Sequence, residues 1–480
     1  MAEPLERQPR AAAPEAAIPG TLWKLLAALM TGTLLGALDI SIVSPALPVI
    51  ARELHVGARD IPWLVTVYLL VYIVATPLMS ALSDRLGRRT VFLLDLLLFG
   101  CGSLMAALAP SFAWLLSARG IQAMGAGGIF PLANTVIGES FPPHRRGMAL
   151  GFVGMVWGAA AIIGPLLGGW ITQWLGYRFI FYFNLPLVAA ALWLAVGAMP
   201  REPGRVEWHV RPEAPDGESP GARRPLDVPG LVTLGAGLAA LTFALDRLNS
   251  RALWSSLLSA SVWPWLLAAM VLLAAFAVAE RLSAAPVVDL RLLRQRQISI
   301  ANGLSFTAGM AEAGLVFVPY YAVSVLGAST GQSGTLVLAA AVTMFFCTEP
   351  VGRLLDVAGA RPVLAAGSLI TALGAAGMVF ARSTALAAAA LVVLGLGLSA
   401  LLGAPVRYIA INASPPDQRA VAQGLLSVFS TLGIMLGSTL AGALLASNPG
   451  SARGFQGIYL LVSAAAGVSF VLALALKPAR

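Results

Sequence analysis

Long apolar runs separated by short polar turns make up most of the chain. A helix needs about 20 apolar residues to cross ~30 Å of hydrocarbon. By that criterion spans are predicted at 22–50, 61–82, 91–109, 112–138, 148–173, 179–199, 228–247, 257–280, 298–326, 333–351, 362–380, 384–411, 421–446 and 456–476. Fourteen spans put both ends of the chain on the same side. The first residues, 1–20, are polar and Pro/Ala-rich with no apolar core, and read as a disordered lead rather than a signal peptide. Residues 200–226, rich in Pro, Gly, Glu and Arg, form the one long linker.

The turn at 80–92 carries Asp84, Arg85, Gly87, Arg88 and Arg89, and a blurred copy returns as Asp356, Gly359 and Arg361. Acid and glycine keep their relative places, both recurring at a numbering offset of 272, and Pro142-Pro143 recurs as Pro415-Pro416 at an offset of 273. Two matches at nearly one offset point to a duplicated membrane bundle, a common plan of secondary transporters. The predicted domains are therefore the lead at 1–20, a six-helix bundle at 21–199, the linker at 200–226, two additional helices at 227–283, and a second six-helix bundle at 284–480. The fold class is an all-α polytopic membrane protein, its two bundles related by a pseudo-two-fold.

Composition and charge sharpen this. Hydrophobic residues make up 58% of the 480 and charged residues 11%, far below the ~25% usual in soluble domains. The net charge of +9 does not signal nucleic acid, because the basic residues sit in short turns between spans. With a cytoplasmic N-terminus, the inner segments hold 22 of the 31 basic residues and the outer turns 7, with Arg119 and Arg407 inside spans. That bias orients the chain with both termini cytoplasmic in a bacterial inner membrane. The two cysteines lie in apolar runs and the three histidines are scattered, so neither a disulfide framework nor a metal site is expected. The absence of a GxxxxGK[ST] loop argues against ATP as the energy source, leaving the proton gradient and no cofactor.

Four motifs stand in order on successive spans. Leu38-Asp39-Ile-Ser41-Ile-Val-Ser44-Pro45 lies on the first, the 80–92 turn joins the second and third, Arg119-Gly-Ile-Gln122-Ala-Met-Gly125 lies on the fourth, and Gly164-Pro165-Leu-Leu-Gly168-Gly169 on the fifth. Together they resemble the major facilitator superfamily, specifically its drug:proton antiporter branch with fourteen spanning helices. The resemblance implies the major facilitator fold and an antiporter signature at Gly164, Pro165, Gly168 and Gly169. It also implies that Arg119 relays or biases protonation. Independently, small residues at 160, 164 and 168 share one helix face and allow close backbone packing.

Ionisable groups inside spans are functional-site hypotheses by default. Asp39 in the first span and Glu312 in the first span of the second half are separated by the second of the two repeat offsets. Both are therefore expected to face a shared central cavity and carry the coupling proton. Arg119 needs a partner, either a carboxylate of the first span or a carbonyl. Asp84, Arg85, Gly87, Arg88, Arg89, Asp356, Gly359 and Arg361 are expected to gate the inner side, with Glu139 and Arg407 forming a salt bridge between the halves. Asp95 is expected to face the Arg88/Arg89 cluster. Gln122, Trp157, Phe306, Tyr320 and Tyr321 are the candidate substrate contacts.

These features predict a proton-coupled exporter of hydrophobic or amphipathic compounds, working as a monomer by alternating access in the lipid bilayer, with no nucleic-acid partner. Export of lipids or lipid-linked molecules is the alternative. A membrane enzyme would need a nucleophile and base close together in one half, and no paired His and acid supplies them.

Overall fold

The computed structural model describes residues 20–57, 59–141, 143–199, 227–249, 252–283, 292–414, 419–448 and 452–477. The predicted lead (1–19) and linker (200–226) lie outside the described residues, as does the second double-proline motif at 415–416. Among the described residues there are fourteen long helices. The first six are α1 (Gly20–Ile42), α2 (Trp63–Leu86), α3 (Arg88–Ala107), α4 (Phe112–Ser140), α5 (Pro143–Leu175) and α6 (Arg178–Ala198). Then come α7 (Val228–Asp246) and α8 (Trp263–Leu282). The last six are α9 (Arg296–Val316), α10 (Thr330–Ala358), α11 (Ala360–Phe380), α12 (Thr384–Leu402), α13 (Arg419–Ser447) and α14 (Ala452–Leu474). Twelve stretches are long and apolar enough to cross a membrane. Helices α4 and α5, of 29 and 33 residues, are not among those twelve, and α4 carries Arg119, Gln122 and Asn134 within its length.

Three predicted spans are broken rather than continuous. Helix α1 ends at Ile42, passes through a 3-10 turn at Ser44–Ala46 and resumes as Leu47–Glu53. Pro45 and Pro48 supply no amide hydrogen to the helix ladder, so the axis shifts there. Helix α9 breaks the same way before Val318–Ser324, which has Pro319 in its first turn. Helix α12 stops at Gly403 before Ala404–Ala413, where Pro405 is second.

Each half is built from the same five pairings. Helix α1 packs on α5 and α6, α3 on α4 and α6, and α2 on α4. In the second half α9 packs on α13 and α14, α11 on α12 and α14, and α10 on α12. The match extends to single residues. A Cβ on Gly102 would strike the backbone of Gln122, and one on Gly374 the backbone of Leu394. The second pair follows the first at the same offset that relates Gly87 to Gly359. Small residues at these crossings let backbones meet, which is how helices surrounded by lipid gain packing energy. The hairpins α2–α3 and α10–α11 both turn on a glycine in the left-handed region, Gly87 at φ 89° and Gly359 at φ 80°. That conformation strains any residue with a Cβ.

The halves meet along two seams, α5 with α10 and α2 with α13. Their polar links lie at the end opposite the Gly87 and Gly359 turns. There the Gly331 amide donates to Gln173 Oε1 at 2.7 Å and Thr66 Oγ1 lies 3.5 Å from Thr439 Oγ1. The short helices Leu47–Glu53 and Val318–Ser324 also touch at this end. The α7–α8 pair packs outside both halves, with α7 lying on α2 and on α13.

Candidate functional site

Asp39 sits in the last turn of α1 and is fully buried, as are Ser103 on α3, Gln122 on α4 and Asn184 on α6; Arg119 on α4 is 2% exposed. An isolated carboxylate in such surroundings is very costly, so a paired cation and several donors are required. Of the two expected partners for Arg119, the carboxylate is the one present: Arg119 Nη1 donates to Asp39 Oδ2 at 2.5 Å. Asp39 Oδ1 accepts from Gln122 Nε2 at 2.8 Å and from Asn184 Nδ2 at 3.0 Å. Gln122 also accepts from Arg119 Nη1 at 2.6 Å and donates to Ser103 Oγ at 2.8 Å. The Arg119 guanidinium stacks 4.1 Å above the Tyr68 ring of α2, a cation–π contact strengthened by exclusion of water. Four helices are thereby pinned around one ion pair, with a fifth stacked on it.

This geometry corrects two expectations. Asp39 does not look into a central cavity; it is enclosed within the first half. Gln122 is a member of the ion-pair network and has no exposed surface to offer a substrate. Ser103, Asn184 and Tyr68 were missed. A polar Asn in the middle of an apolar span was the available signal. Among the described residues Arg119 Nε, Tyr68 Oη and Asn184 Oδ1 have no hydrogen-bond partner, so the network has spare donors and an acceptor with which to rearrange.

Glu312 is not the counterpart of Asp39. The glycine contacts fix the smaller offset for α1 and α9: a Cβ on Gly164 would meet Ser41, and one on Gly437 would meet Ala313. The counterpart of Asp39 is therefore Ala311, and Glu312 corresponds to Ile40. One residue turns a side chain by about 100° around a helix. Ile40 borders a small recess with Thr33, Gly36, Tyr72 and Phe130, on a face of α1 away from the ion pair. Glu312, on the matching face of α9, is only partly buried. Among the described residues its carboxylate has neither a salt bridge nor a hydrogen bond.

The helix-five motif uses two faces of α5. On one, Ser41 Oγ of α1 donates to the Ala160 carbonyl at 2.9 Å, and a Cβ on Gly164 or Gly168 would overlap Ser41 or Ile42. On the other, Gly169 meets α10 of the second half, where its Cβ would lie 3.1 Å from the Thr330 carbonyl and 3.2 Å from Gly334 Cα. The Pro165 carbonyl closes on Gly334 at the same seam.

At the Gly87 turn, Arg88 donates to Glu139 at 3.1 Å and to Ser83 Oγ at 2.6 Å, while Arg89 donates to the Val196 carbonyl at 2.8 Å. Glu139 thus pairs inside its own half. The expected bridge to Arg407 is not formed, because Arg88 at the start of α3 lies beside the end of α4, and Arg407 is exposed. Arg85 is exposed at the turn, and Arg361 is partly buried just past the second one. Arg353 pairs with Glu349 one helical turn back. The side chains of Asp84, Asp356 and Trp157 lie outside the described residues. Asp95 does not reach Arg88 or Arg89: it is fully buried against Gly128 of α4.

Of the remaining substrate candidates, Tyr321 is packed in the second half, its hydroxyl donating to the Ala381 carbonyl and its ring against Phe455 and Tyr459. Its neighbour Tyr320 is partly buried, edge-on to Phe455 and in contact with first-half residues at the joined end. Phe306 is partly buried on α9. Among the described residues no His, Cys, Asp and Glu gather as a metal site.

Comparison with known proteins bears on the family and the fold. The chain is 27% identical over 434 residues to the multidrug transporter protein MdtP of Bacillus subtilis (strain 168), covering 89% of this chain and 76% of that one. It is 30% identical over 420 residues to the multidrug resistance protein Stp of Mycobacterium tuberculosis (strain CDC 1551 / Oshkosh), covering 85% and 73%. In fold it is similar to a D-xylose–proton symporter, with a TM-score of 0.64, 17% identity and coverage of 95% and 97%. It is likewise similar to the human organic anion transporter MFSD10, with a TM-score of 0.62, 17% identity and coverage of 95% and 100%. The family model of the Major Facilitator Superfamily matches residues 29–311 and again 298–480, and the chain is a multi-pass membrane transporter belonging to that superfamily.

Proposed function

We propose that the protein is a proton-coupled exporter of hydrophobic or amphipathic compounds, of the fourteen-helix antiporter kind, in a bacterial inner membrane with both termini cytoplasmic. The two multidrug relatives and the helix-five motif favour drug-like substrates. The excess of Arg and Lys at the Gly87 and Gly359 end favours that end as cytoplasmic. The polar links at the opposite end then correspond to a state closed to the outside. Transport proceeds by rocking one half against the other, with the α5–α10 and α2–α13 seams parting in turn. The domain plan is six helices, two additional helices and six helices.

One observation carries the coupling: Glu312 is an ionisable group in a span with no partner among the described residues to hold its charge, on the helix face that corresponds to a recess. Such a carboxyl exchanges a proton more readily than one locked in an ion pair. Asp39 and Arg119 act as the second element, an ion pair whose spare donors let it rearrange when Glu312 changes charge. Proteoliposomes carrying an imposed pH gradient test this. Glu312→Gln should reduce gradient-driven movement of a lipophilic cationic dye at least ~10-fold while thermal stability is kept. Unaltered dye movement in Glu312→Gln would remove the reading.

A further inference from the structure

Asp95 is the second fully buried acid of the first half, and the transport reading does not use it. Among the described residues both carboxylate oxygens lack a hydrogen-bond partner. The carboxyl presses on Gly128 of α4, where a Cβ would overlap it, and the Asp95 carbonyl presses in the same way on Gly125. Helices α4, α6 and α2 pack against α3, and α1 reaches it through Phe92 and Gly32. Each brings ionisable groups, and none of those described bonds to Asp95. On α4, Arg119 is held by Asp39 and Glu139 by Arg88. Helix α6 brings Arg178 and Tyr182 near its start, and α1 brings Lys24 and Asp39. Helix α2 brings Tyr68 and Tyr72 as well as Asp84 and Arg85 at its turn. On α3 itself, Arg88 and Arg89 are engaged with Glu139 and Val196.

The second half shows that this crossing does not need an acid. The counterparts of Asp95 and Gly128, at the same repeat offset as the Gly102 and Gln122 pair, are Gly367 and Ala400, which pack directly on each other. The acid-on-glycine pair has been exchanged for glycine-on-alanine with the same helix arrangement. Packing alone therefore does not account for a carboxyl at 95. An ion left bare in such a place is strongly disfavoured even after relaxation, whereas the neutral acid costs far less.

We propose that Asp95 is a proton-binding site of the first half, separate from the Asp39–Arg119 pair and from Glu312, which keeps its proton while α3 and α4 are packed. The site stands whether or not transport is coupled to protons at Glu312. Infrared spectroscopy of the purified full-length protein at neutral pH tests it through the C=O stretch of a protonated carboxylic acid, which shifts on exchange into D2O. Asp95→Asn, isosteric with the neutral acid, should lose one such band. The double variant Asp95→Gly/Gly128→Ala, which copies the second half, should lose the same band and fold even if the single variant does not. Glu312→Gln serves as the control and should leave that band in place. A spectrum unchanged in the variants at 95 would show Asp95 to be ionised and overturn the proposal. So would loss of the band in Glu312→Gln alone.

Discussion

Where α1, α2, α3 and α4 converge, the first half holds Asp39, Tyr68, Ser103, Arg119 and Gln122. At the equivalent places of the repeat, the second half holds Ala311, Ala340, Ala375, Leu391 and Leu394, all in one apolar cluster. The helices cross alike in both, so the polar network is not what the architecture requires. A duplicated scaffold has been kept in two versions, one apolar and one built around a buried ion pair. The difference teaches that these crossings can be built without the ion pair, and replacing such a pair by packed apolar side chains is often neutral or stabilising. Glu312 completes the contrast: the second half places its acid one residue later, outside its apolar core.

The most damaging way to test this comparison is to strand one charge. Arg119→Ala leaves Asp39 buried without its cation, and should destabilise the protein by about 3–5 kcal/mol, read as a lower thermal midpoint in detergent. A smaller and opposite effect is expected when the network is rewritten in the manner of the second half. Asp39→Ala, Ser103→Ala, Arg119→Leu and Gln122→Leu, with Asn184→Leu to leave no orphaned amide, should hold stability or raise it by ~1–4 kcal/mol, while gradient-driven transport falls to background. Retained transport in that variant would break the comparison. The smallest effects belong to the turns. Arg88→Ala and Arg353→Ala each remove a salt bridge that solvent reaches, and each should cost less than about 1 kcal/mol. Arg88→Ala should cost the more of the two, because its pair joins α3 to α4 whereas Arg353 and Glu349 share one helix.

Much of this was legible in the sequence, and the reasons are physical. Apolar runs of bilayer length are hard to read as anything but spans, and the recurrence of Asp84 and Gly87 as Asp356 and Gly359 revealed the duplication. Asp39 and Arg119 were conspicuous because charges are rare in such runs, and their pairing follows from the cost of leaving either alone. The equivalence of Asp39 and Glu312 failed because the repeat offset grows by one between some helices and others. A slip of one residue moves a side chain to another face. Glu139 was matched with the wrong arginine because charge names a partner's sign but not its place. Ser103, Asn184 and Tyr68 carry no charge, and only three-dimensional proximity distinguishes them from other polar residues in spans. The breaks in α1, α9 and α12 were announced by prolines at 45, 319 and 405, but the apolar pattern ran straight through them.

The two additional helices have a consequence for motion. Helix α7 rests on α2 through Gly235 and Val74, and on α13 through Ala244 and Ala443, which share an apolar cluster with Leu248 and Val262 just past the end of α7. One flank of the molecule is thereby strapped across both lobes, while the flank at α5 and α10 has only direct contact. In the proposed rocking cycle α2 and α13 would have to slide against α7 on the first flank, whereas α5 and α10 would part from each other with no third helix lying across them.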